Sequence, residues 1–373
     1  MGPAGYIAFR PALLPRRLDL HDTTVIALSG ADRALGRLAG TGRLLPNPHL
    51  LLRPYVAREA LASSRIEGTQ ASLSDVFDAQ ARRSPEGPLR EVTNYIDALD
   101  HGLARLDTLP VSRRLLCEVH EILLTGVRGQ ERRPGEVRRS QNWIGSPDNR
   151  PETAVFVPPP VDEMEPALDD LERFLHETGP LPPLVSIALA HYQFETIHPF
   201  LDGNGRLGRL LIVFLLVERG LLPQPLLYLS SFFEAHRSDY YDRLQAVRER
   251  GEIQEWLRYF LTGVSEQAND AVARAEELVD LREEMRRRLA GDRSRATEVV
   301  EMIFENPVLT TTRIADALDI TVQSALNHIR RLEGVEIVTE VAGVPGRSKR
   351  WVARDVLRAL GADDEPDTFG QSG

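Results

Sequence analysis

Apolar residues recur at helical intervals in seven stretches of this 373-residue chain, and this periodicity is what most constrains its fold. An apolar residue at every third or fourth position gives a helix one hydrophobic stripe. One stretch, Ser140 to Pro160, differs, because two β-prone pieces flank a Ser-Pro-Asp-Asn turn and end in prolines. The pattern therefore predicts a mainly α-helical protein with one β-hairpin. The helical stretches are Asp22 to Leu38, Pro54 to Ser64, Asn94 to Leu106, Val111 to Thr125, Val161 to His176, Leu184 to Ile197 and Leu207 to Arg219.

Charge and cysteine content narrow the environment in which the chain works. The formal charge of −10 argues against non-specific binding to nucleic acid or to anionic membranes, because both would repel the chain. Cys117 is the only cysteine, so no internal disulfide can form. The sequence shows neither a secretory signal pattern nor an apolar run of membrane-spanning length. We expect a cytoplasmic protein without a membrane partner.

The segment His198 to Arg209 combines the side chains that phosphate chemistry needs. A Gly203-Asn204-Gly205 turn leads into a helix, where backbone N–H groups and the positive end of the helix dipole attract anions. Arg206 and Arg209 are three positions apart, so both lie near one helix face and can reach phosphate oxygens. Asp202 beside phosphates implies a bridging cation, usually magnesium. His198 can take a proton near neutral pH.

These twelve residues, HPFLDGNGRLGR, resemble the full signature of the Fic family, His-x-Phe-x-(Asp/Glu)-Gly-Asn-Gly-Arg-x-x-Arg, at every fixed position. The resemblance covers most of Leu50 to Gly263. It implies a helical Fic core with a β-hairpin flap and an enzyme that transfers AMP from ATP to a Ser, Thr or Tyr hydroxyl of a target protein and of itself. The target would dock on the hairpin Ser140 to Pro160 by strand addition. Neither the target nor the modified side chain can be read from the sequence.

The resemblance also implies roles for individual residues. His198 would be the general base, Asp202 would hold Mg²⁺, and Arg206 and Arg209 would bind the β- and γ-phosphates. Tyr241, after Asp239 and Tyr240, would contact the nucleotide or be a core aromatic. The expected ATP-binding residues are Glu67, His198, Gly203, Asn204, Gly205, Arg206, Leu207, Gly208, Arg209 and Tyr241.

A second motif, Ser63-Ser64-Arg65-Ile66-Glu67-Gly68, is similar to the inhibitory pattern (Ser/Thr)-x-x-x-Glu-(Gly/Asn) of the family. It implies an N-terminal inhibitory helix whose Glu67 pairs with Arg209 and competes with the γ-phosphate. Ser63, four residues earlier, would share the helix face of Glu67 and orient it, and Gly68 would end the helix. Without that role, the motif is an ordinary helix end with an exposed glutamate.

The C-terminal stretch Thr311 to Leu326 resembles a helix-turn-helix, and a turn from Gly343 to Arg350, with Arg347 and Lys349, resembles a wing. DNA binding, protein interaction and homodimer formation stay open for this module. Two other functions stay open as well: removal of AMP, with Glu67 orienting a water, and a nucleotide-sensing DNA-binding regulator. The predicted domains are an inhibitory segment (1–90), the Fic core (91–263), a connecting helix (264–290), a winged helix-turn-helix (291–360) and a flexible tail (361–373).

Overall fold

The computed structural model describes residues 5–44, 48–82, 85–177, 179–292, 294–341 and 349–362. This part of the chain is mainly helical, as predicted, with a small β-sheet. Within it, no helix combines the length and the apolar character needed to cross a membrane. The helices are α1 (Asp22–Leu44), α2 (Pro48–Ile66), α3 (Leu73–Arg82), α4 (Pro88–Arg105), α5 (Arg113–Leu124), α6 (Val161–His176), α7 (Pro183–Ile197), α8 (Asn204–Glu218), α9 (Ser230–Ala235), α10 (Arg237–Arg250), α11 (Ile253–Arg288), α12 (Ala296–Glu305), α13 (Thr311–Leu318), α14 (Val322–Gly334) and α15 (Arg354–Ala359). The strands are β1 (Val308–Leu309), β2 (Thr339–Val341) and β3 (Arg350–Val352).

The chain folds into two compact units. The first comprises Met1–Arg37 and Asn94–Ala268, and the second comprises Leu38–Thr93 and Asn269–Gly373. The predicted inhibitory helix, α2, thus shares a unit with the C-terminal module rather than with α7 and α8. The domain boundaries drawn from the sequence follow the chain order and stay a prediction.

The core of the first unit is built on α7 and α8. Both helices are apolar on nearly every face, and almost all of their side chains are buried. A helix that is apolar all round belongs in a protein interior. Helices α5 and α6 pack beside them, α5 against α8 and α6 against α7. At Gly102 of α4 a Cβ would collide with the ring of Phe214, so glycine lets α4 approach α8 closely.

An extended N-terminal segment, residues 5–21, is bonded to other parts of the first unit. The Phe9 N–H donates to the Val157 carbonyl at 2.9 Å, and the Leu14 N–H donates to the Asp170 carboxylate at 3.2 Å. Arg16 forms an ion pair with Asp170 at 2.9 Å, and Asp170 is almost wholly buried. These bonds fix a stretch that has no regular secondary structure of its own.

The predicted hairpin, which we call the flap (residues 140–160), forms with a single β-bridge. Ile144 and Phe156 exchange two backbone hydrogen bonds, of 2.8 and 3.2 Å. Beyond Val157 the second arm consists of Pro158, Pro159 and Pro160, which have no N–H to donate to a ladder. The turn is held by side chains instead, since Arg150 pairs with Asp148 at 2.6 Å.

In the second unit, the C-terminal module packs against α2 and α3. Helix α12 lies along α2, and strand β1 lies against α3. The Asn306 side chain donates to the Phe77 carbonyl at 2.9 Å, and Arg350 pairs with Asp78 at 2.9 Å. The sheet order is β1-β3-β2, all antiparallel. Helices α13 and α14 lie in and beyond the predicted helix-turn-helix stretch, while residues 342–348 of the wing and residues 363–373 of the tail lie outside the described residues.

Candidate active site

The loop between α7 and α8 begins with His198 in a left-handed conformation. This residue has φ 50° and ψ 61°, and its N–H donates to the Phe194 carbonyl at 2.9 Å. Few residues other than glycine adopt such angles, and here they end α7 and reverse the chain. Pro199 follows and cannot continue the helix. The structure therefore places His198 at the end of a buried helix, as the sequence predicts.

Asn204, the first residue of α8, holds the loop in shape. Its side-chain oxygen accepts from the Phe200 N–H at 2.9 Å, and its side-chain amide donates to the Phe200 carbonyl at 2.8 Å. Both residues are buried, with exposed fractions of 1%. The asparagine thus satisfies the Phe200 N–H, which would be costly to leave unpaired when buried, and adds a hydrogen bond to the Phe200 carbonyl. The side chain of Asn204 therefore supports the loop, while the expected contact of its backbone N–H with phosphate stays a prediction.

Asp202 and Gly203 lie at the N-terminal end of α8. The Asp202 Oδ1 accepts from the Gly203 N–H at 2.6 Å and lies 3.8 Å from Nη2 of Arg206. Gly203 has φ 76°, where a side chain would be strained, and a Cβ there would lie 3.3 Å from Nε2 of His120. Gly129 faces the other oxygen, because a Cβ at Gly129 would lie 2.9 Å from Asp202 Oδ2. Gly129 therefore lets the Asp202 carboxylate lie close to the backbone, and Gly203 provides the positive φ before α8.

The first turns of α8 bring the two predicted arginines into the interior. Arg206 and Arg209 are 1% and 2% exposed. Leu207 is buried in the core, so only its backbone is available to a ligand. A Cβ at Gly208 would collide with the end of the Glu195 side chain and lie 3.2 Å from the ring of Phe194, so glycine leaves both side chains in place. Gly205 is half-exposed in the first turn, where helix N–H groups lack intrahelical acceptors.

His120 on α5, which the sequence analysis did not single out, lies beneath the loop. Its Nδ1 accepts from the Gly135 N–H at 2.9 Å, so its Nε2 donates to the Asp202 carbonyl at 2.9 Å. Its ring stacks on Phe200 with centroids 4.0 Å apart. Burial lowers the pKa of His120 to about 4, and the charge of Arg206 acts in the same direction. A neutral histidine therefore supports the loop.

His191 on α7 links α8 to the aromatic cluster around α10. One ring nitrogen lies 2.9 Å from the Gly208 carbonyl, to which it donates, and the other accepts from the Tyr240 hydroxyl at 3.0 Å. Burial lowers the pKa of His191 to about 3. Tyr240 is buried, whereas Tyr241 is 42% exposed, with ring centroids 5.2 Å apart. Of the two tyrosines, Tyr240 is the core aromatic and Tyr241 is the accessible one.

A second group absent from the sequence predictions, Arg138 and Asn142, binds the backbone at the start of the loop. The Arg138 guanidinium donates to the His198 carbonyl at 3.0 Å, and its own N–H donates to the Pro199 carbonyl at 2.9 Å. The Asn142 amide donates to the carbonyls of His198 at 3.2 Å and Phe200 at 2.7 Å. Neither residue lies in a contiguous motif with His198, so only the structure reveals the connection.

The predicted inhibitory segment belongs to the second unit. Ser63 is fully buried in α2, and Glu67 lies in the turn after the helix, where its N–H donates to the Ser64 carbonyl at 3.1 Å. Gly68 has φ 96°, which suits the glycine that ends this helix. The helix end is therefore as predicted, while the pairing of Glu67 with Arg209 stays a prediction.

The surroundings of Asp202 suit a magnesium ion. Its side chain is 36% exposed, and one oxygen is already fixed by the Gly203 N–H. Mg²⁺ prefers hard oxygen ligands and usually takes only one or two protein carboxylates, with phosphate and water oxygens as the remainder. The residues 5–44, 48–82, 85–177, 179–292, 294–341 and 349–362 contain no group of three or more metal-binding side chains. A metal at Asp202 would therefore depend on the nucleotide for further ligands.

Comparison with known proteins agrees with this geometry. The chain matches the Fic/DOC family N-terminal domain over residues 25–104 and the Fic/DOC family over residues 110–216. Proteins named "Protein adenylyltransferase Fic" are similar in sequence. The Aedes aegypti protein is 30% identical over 203 residues, covering 52% of this chain and 37% of the relative. The Drosophila melanogaster protein is 28% identical over 252 residues, covering 65% and 46%.

Solved structures share the fold. A Fic family protein from Desulfovibrio desulfuricans has a TM-score of 0.58 at 21% identity, covering 90% of this chain and 97% of that one. Fic-1 from C. elegans has a TM-score of 0.51 at 20% identity, covering 69% and 74%. The chain spans less than half the length of the curated relatives it matches. Two family domains side by side, with the complete loop motif between α7 and α8, place this chain in the Fic/DOC family.

Proposed function

We propose that this protein transfers the AMP group of ATP to a Ser, Thr or Tyr hydroxyl of a target protein and of itself. The observation that carries the proposal is the loop from His198 to Arg209, which brings a histidine, the carboxylate of Asp202 and two buried arginines to the N-terminal end of α8. The name "Protein adenylyltransferase Fic" of the similar proteins supports the same reaction.

The reaction begins with His198, which takes the proton of the attacking hydroxyl. The hydroxyl oxygen forms a bond to the α-phosphorus in line, the bond from that phosphorus to the bridging oxygen breaks, and pyrophosphate leaves. Positioning and charge stabilisation supply most of the rate enhancement in such transfers.

The phosphates would lie at the N-terminal end of α8, where the N–H groups of Asn204, Gly205 and Arg206 start the helix. Arg206 and Arg209 would neutralise the β- and γ-phosphates. Mg²⁺ at Asp202, when bound, would balance charge on the α- and β-phosphates. Tyr241, exposed beside the buried Tyr240, would contact the nucleotide from α10.

We further propose that Glu67 restrains the enzyme by pairing with Arg209. A carboxylate on that guanidinium competes with the γ-phosphate, so that ATP binds in a pose unsuited to attack. Ser63 would orient the turn that carries Glu67. In the alternative in which the protein removes AMP, Glu67 orients a water instead.

The decisive experiment incubates the purified chain and a cell lysate with Mg²⁺ and ATP labelled at the α-phosphate. The Glu67→Gly variant should label itself and target proteins strongly. His198→Ala in that background should lower labelling by about 100-fold or more, as expected for loss of a general base, while ATP binding persists. Arg209→Ala should be inactive, and Glu67→Gly should not rescue it, because the released partner is gone.

Three outcomes would contradict these proposals. Labelling of the His198→Ala variant at the rate of its parent would remove His198 as the base. A double variant, Glu67→Gly with Arg209→Ala, as active as Glu67→Gly alone would refute the competition between Glu67 and the phosphate. Loss of label from a pre-labelled target with wild type, but not with Glu67→Gly, would favour AMP removal.

The C-terminal module supports DNA binding as a second function. On α14 the side chains of Gln323, Asn327 and Arg330 are exposed on the same helix, and amide and guanidinium groups are those that read base edges in the major groove. The module carries equal numbers of basic and acidic residues, so any binding would rest on this face rather than on net charge. Anisotropy of labelled genomic fragments at physiological salt tests it. Specific retention that Arg330→Ala weakens supports the proposal, and retention without sequence preference contradicts it.

A further inference from the structure

Arg138 carries a guanidinium that is buried without any carboxylate partner in the described part of the chain. The residue is 1% exposed, and its hydrogen bonds all go to backbone carbonyl oxygens. Burial lowers the pKa of Arg138 to about 10. The oxygens and their distances are those of Ser140 at 3.1 Å, Pro159 at 2.5 Å, His198 at 3.0 Å and Ile197 at 3.5 Å.

These four carbonyls belong to two different parts of the first unit. Ser140 and Pro159 lie at the two ends of the flap, while Ile197 and His198 lie at the end of α7 and the start of the loop. One planar group therefore fastens both arms of the flap to the backbone of the proposed base. Asn142, inside the flap, adds a second connection to the His198 carbonyl at 3.2 Å.

The chemistry of this position argues for a role in geometry. Burying a cation is costly, and apolar side chains often stabilise an interior as well or better than buried ions. The five N–H donors of arginine are fixed in one plane, so several acceptors held by them cannot shift independently. His198 also sits in a left-handed conformation, which these hydrogen bonds help to maintain.

We propose that Arg138 is a positioning residue that sets the distance between an acceptor segment docked on the flap and the imidazole of His198. The inference rests on the proposed AMP transfer. It assigns Arg138 to the transfer step and not to ATP binding, because none of its partners lies in α8.

The test compares Arg138→Lys with Arg219→Lys, both in the Glu67→Gly background. Arg219 serves as the control, since it is half-buried and bonds to Ser186 and the Pro183 carbonyl, away from the loop and the flap. Lysine keeps the charge at either position but loses the planar fork. Self-labelling by Arg138→Lys should fall by about 100-fold, the size of effect that small misplacement produces. The fall should appear in kcat while the KM for ATP stays unchanged.

Hydrogen exchange supplies a readout that does not need activity. In Arg138→Lys, peptides from the flap and from residues 198–204 should exchange faster together, whereas Arg219→Lys should leave both unchanged. Asn142→Ala removes the second connection to the His198 carbonyl. It should also make the flap and residues 198–204 exchange faster together, but by a smaller amount. It serves as the test if Arg138→Lys does not fold.

The outcomes separate this inference from the proposed function. If the Glu67→Gly parent labels nothing, AMP transfer is wrong, and the exchange data alone decide whether Arg138 joins the flap to the loop. Unchanged exchange in both segments, or labelling at the parental kcat, would overturn the role of Arg138. A rise in the KM for ATP at constant kcat would overturn it too, because it would assign Arg138 to nucleotide binding.

Discussion

Each of the two units contains a buried asparagine whose side chain binds backbone groups. The two asparagines differ in how far along the chain their partners lie. Asn204 binds the N–H and the carbonyl of Phe200, four residues away, and closes the catalytic loop. Asn306 donates to the Phe77 carbonyl, 229 residues away, and accepts from the Val308 N–H at 2.8 Å. The first bond pair shapes a loop, and the second joins the C-terminal module to α3. A loop closed by neighbours can be recognised in a sequence, whereas a contact between distant segments cannot.

The largest expected effect is the difference in AMP-transfer rate between two single variants, Asn204→Ala and Asn306→Ala. Asn204→Ala leaves the buried N–H of Phe200 unsatisfied and removes one of the two side-chain donors to its carbonyl. It should lower AMP transfer by about 100-fold or more in the Glu67→Gly background, because the loop loses its shape. Asn306→Ala should leave transfer in that background within about threefold, since Asn306 touches no loop residue. Rates of self-labelling check both.

The same pair should reverse its order when stability of the second unit is measured. Asn306→Ala should lower the free energy of unfolding of that unit by about 2 kcal/mol, the cost of an unpaired buried polar group. Hydrogen exchange of α12 and β1 should rise in Asn306→Ala and not in Asn204→Ala. If Asn306→Ala abolishes transfer in the Glu67→Gly background, the two units do not divide the work as this comparison assumes.

The smallest expected effect is on the stability of the first unit, which should fall at low pH because of the buried His191. In the folded protein the pKa of His191 is about 3, because burial disfavours its cation, whereas a histidine in the unfolded chain has a pKa of about 6.5. The unfolded state therefore binds the proton first. The stability that neutral His191 provides is complete above pH of about 6.5 and is lost as pH falls toward the folded value.

Urea unfolding at two pH values, about 7.5 and about 5.5, measures this contribution, which amounts to about 1.4 kcal/mol for one such group over that interval. The His191→Gln variant should lose correspondingly less stability between the two conditions than wild type. Equal losses in both proteins would show that His191 is not the group that titrates.

The comparison also explains how far the sequence could be interpreted. The predicted helices, the hairpin, and the position of His198 at the end of α7 are confirmed, because periodicity and turn residues are local signals. The contiguous motif from Asp202 to Arg209 was enough to predict where the candidate site lies. Its internal bonds, such as those between Asp202 and Gly203, join residues that the motif already lists side by side.

What the sequence did not indicate depends on tertiary contacts. Arg138 lies 60 positions from the His198 carbonyl to which it donates, and His120 lies 82 positions from the Asp202 carbonyl. A single arginine in an irregular segment, or a single histidine in a helical pattern, gives no sign of such a partner. The packing of α12 along α2 and the ion pair between Arg350 and Asp78 of α3 are of the same kind, since the partners are far apart in the chain. The flap is shorter in regular structure than expected because its second arm is rich in proline.

The extended N-terminal segment has a practical consequence for protein engineering. Its Phe9 backbone is bonded to Val157, next to the bridge residue Phe156, and its Arg16 is anchored at Asp170. A truncation that starts at residue 25, where the family match begins, would delete both anchors and uncover the buried carboxylate of Asp170. An affinity tag at the N-terminus would be attached only eight positions before Phe9, which is bonded to the flap. Purification handles are therefore better attached to the opposite end of the chain.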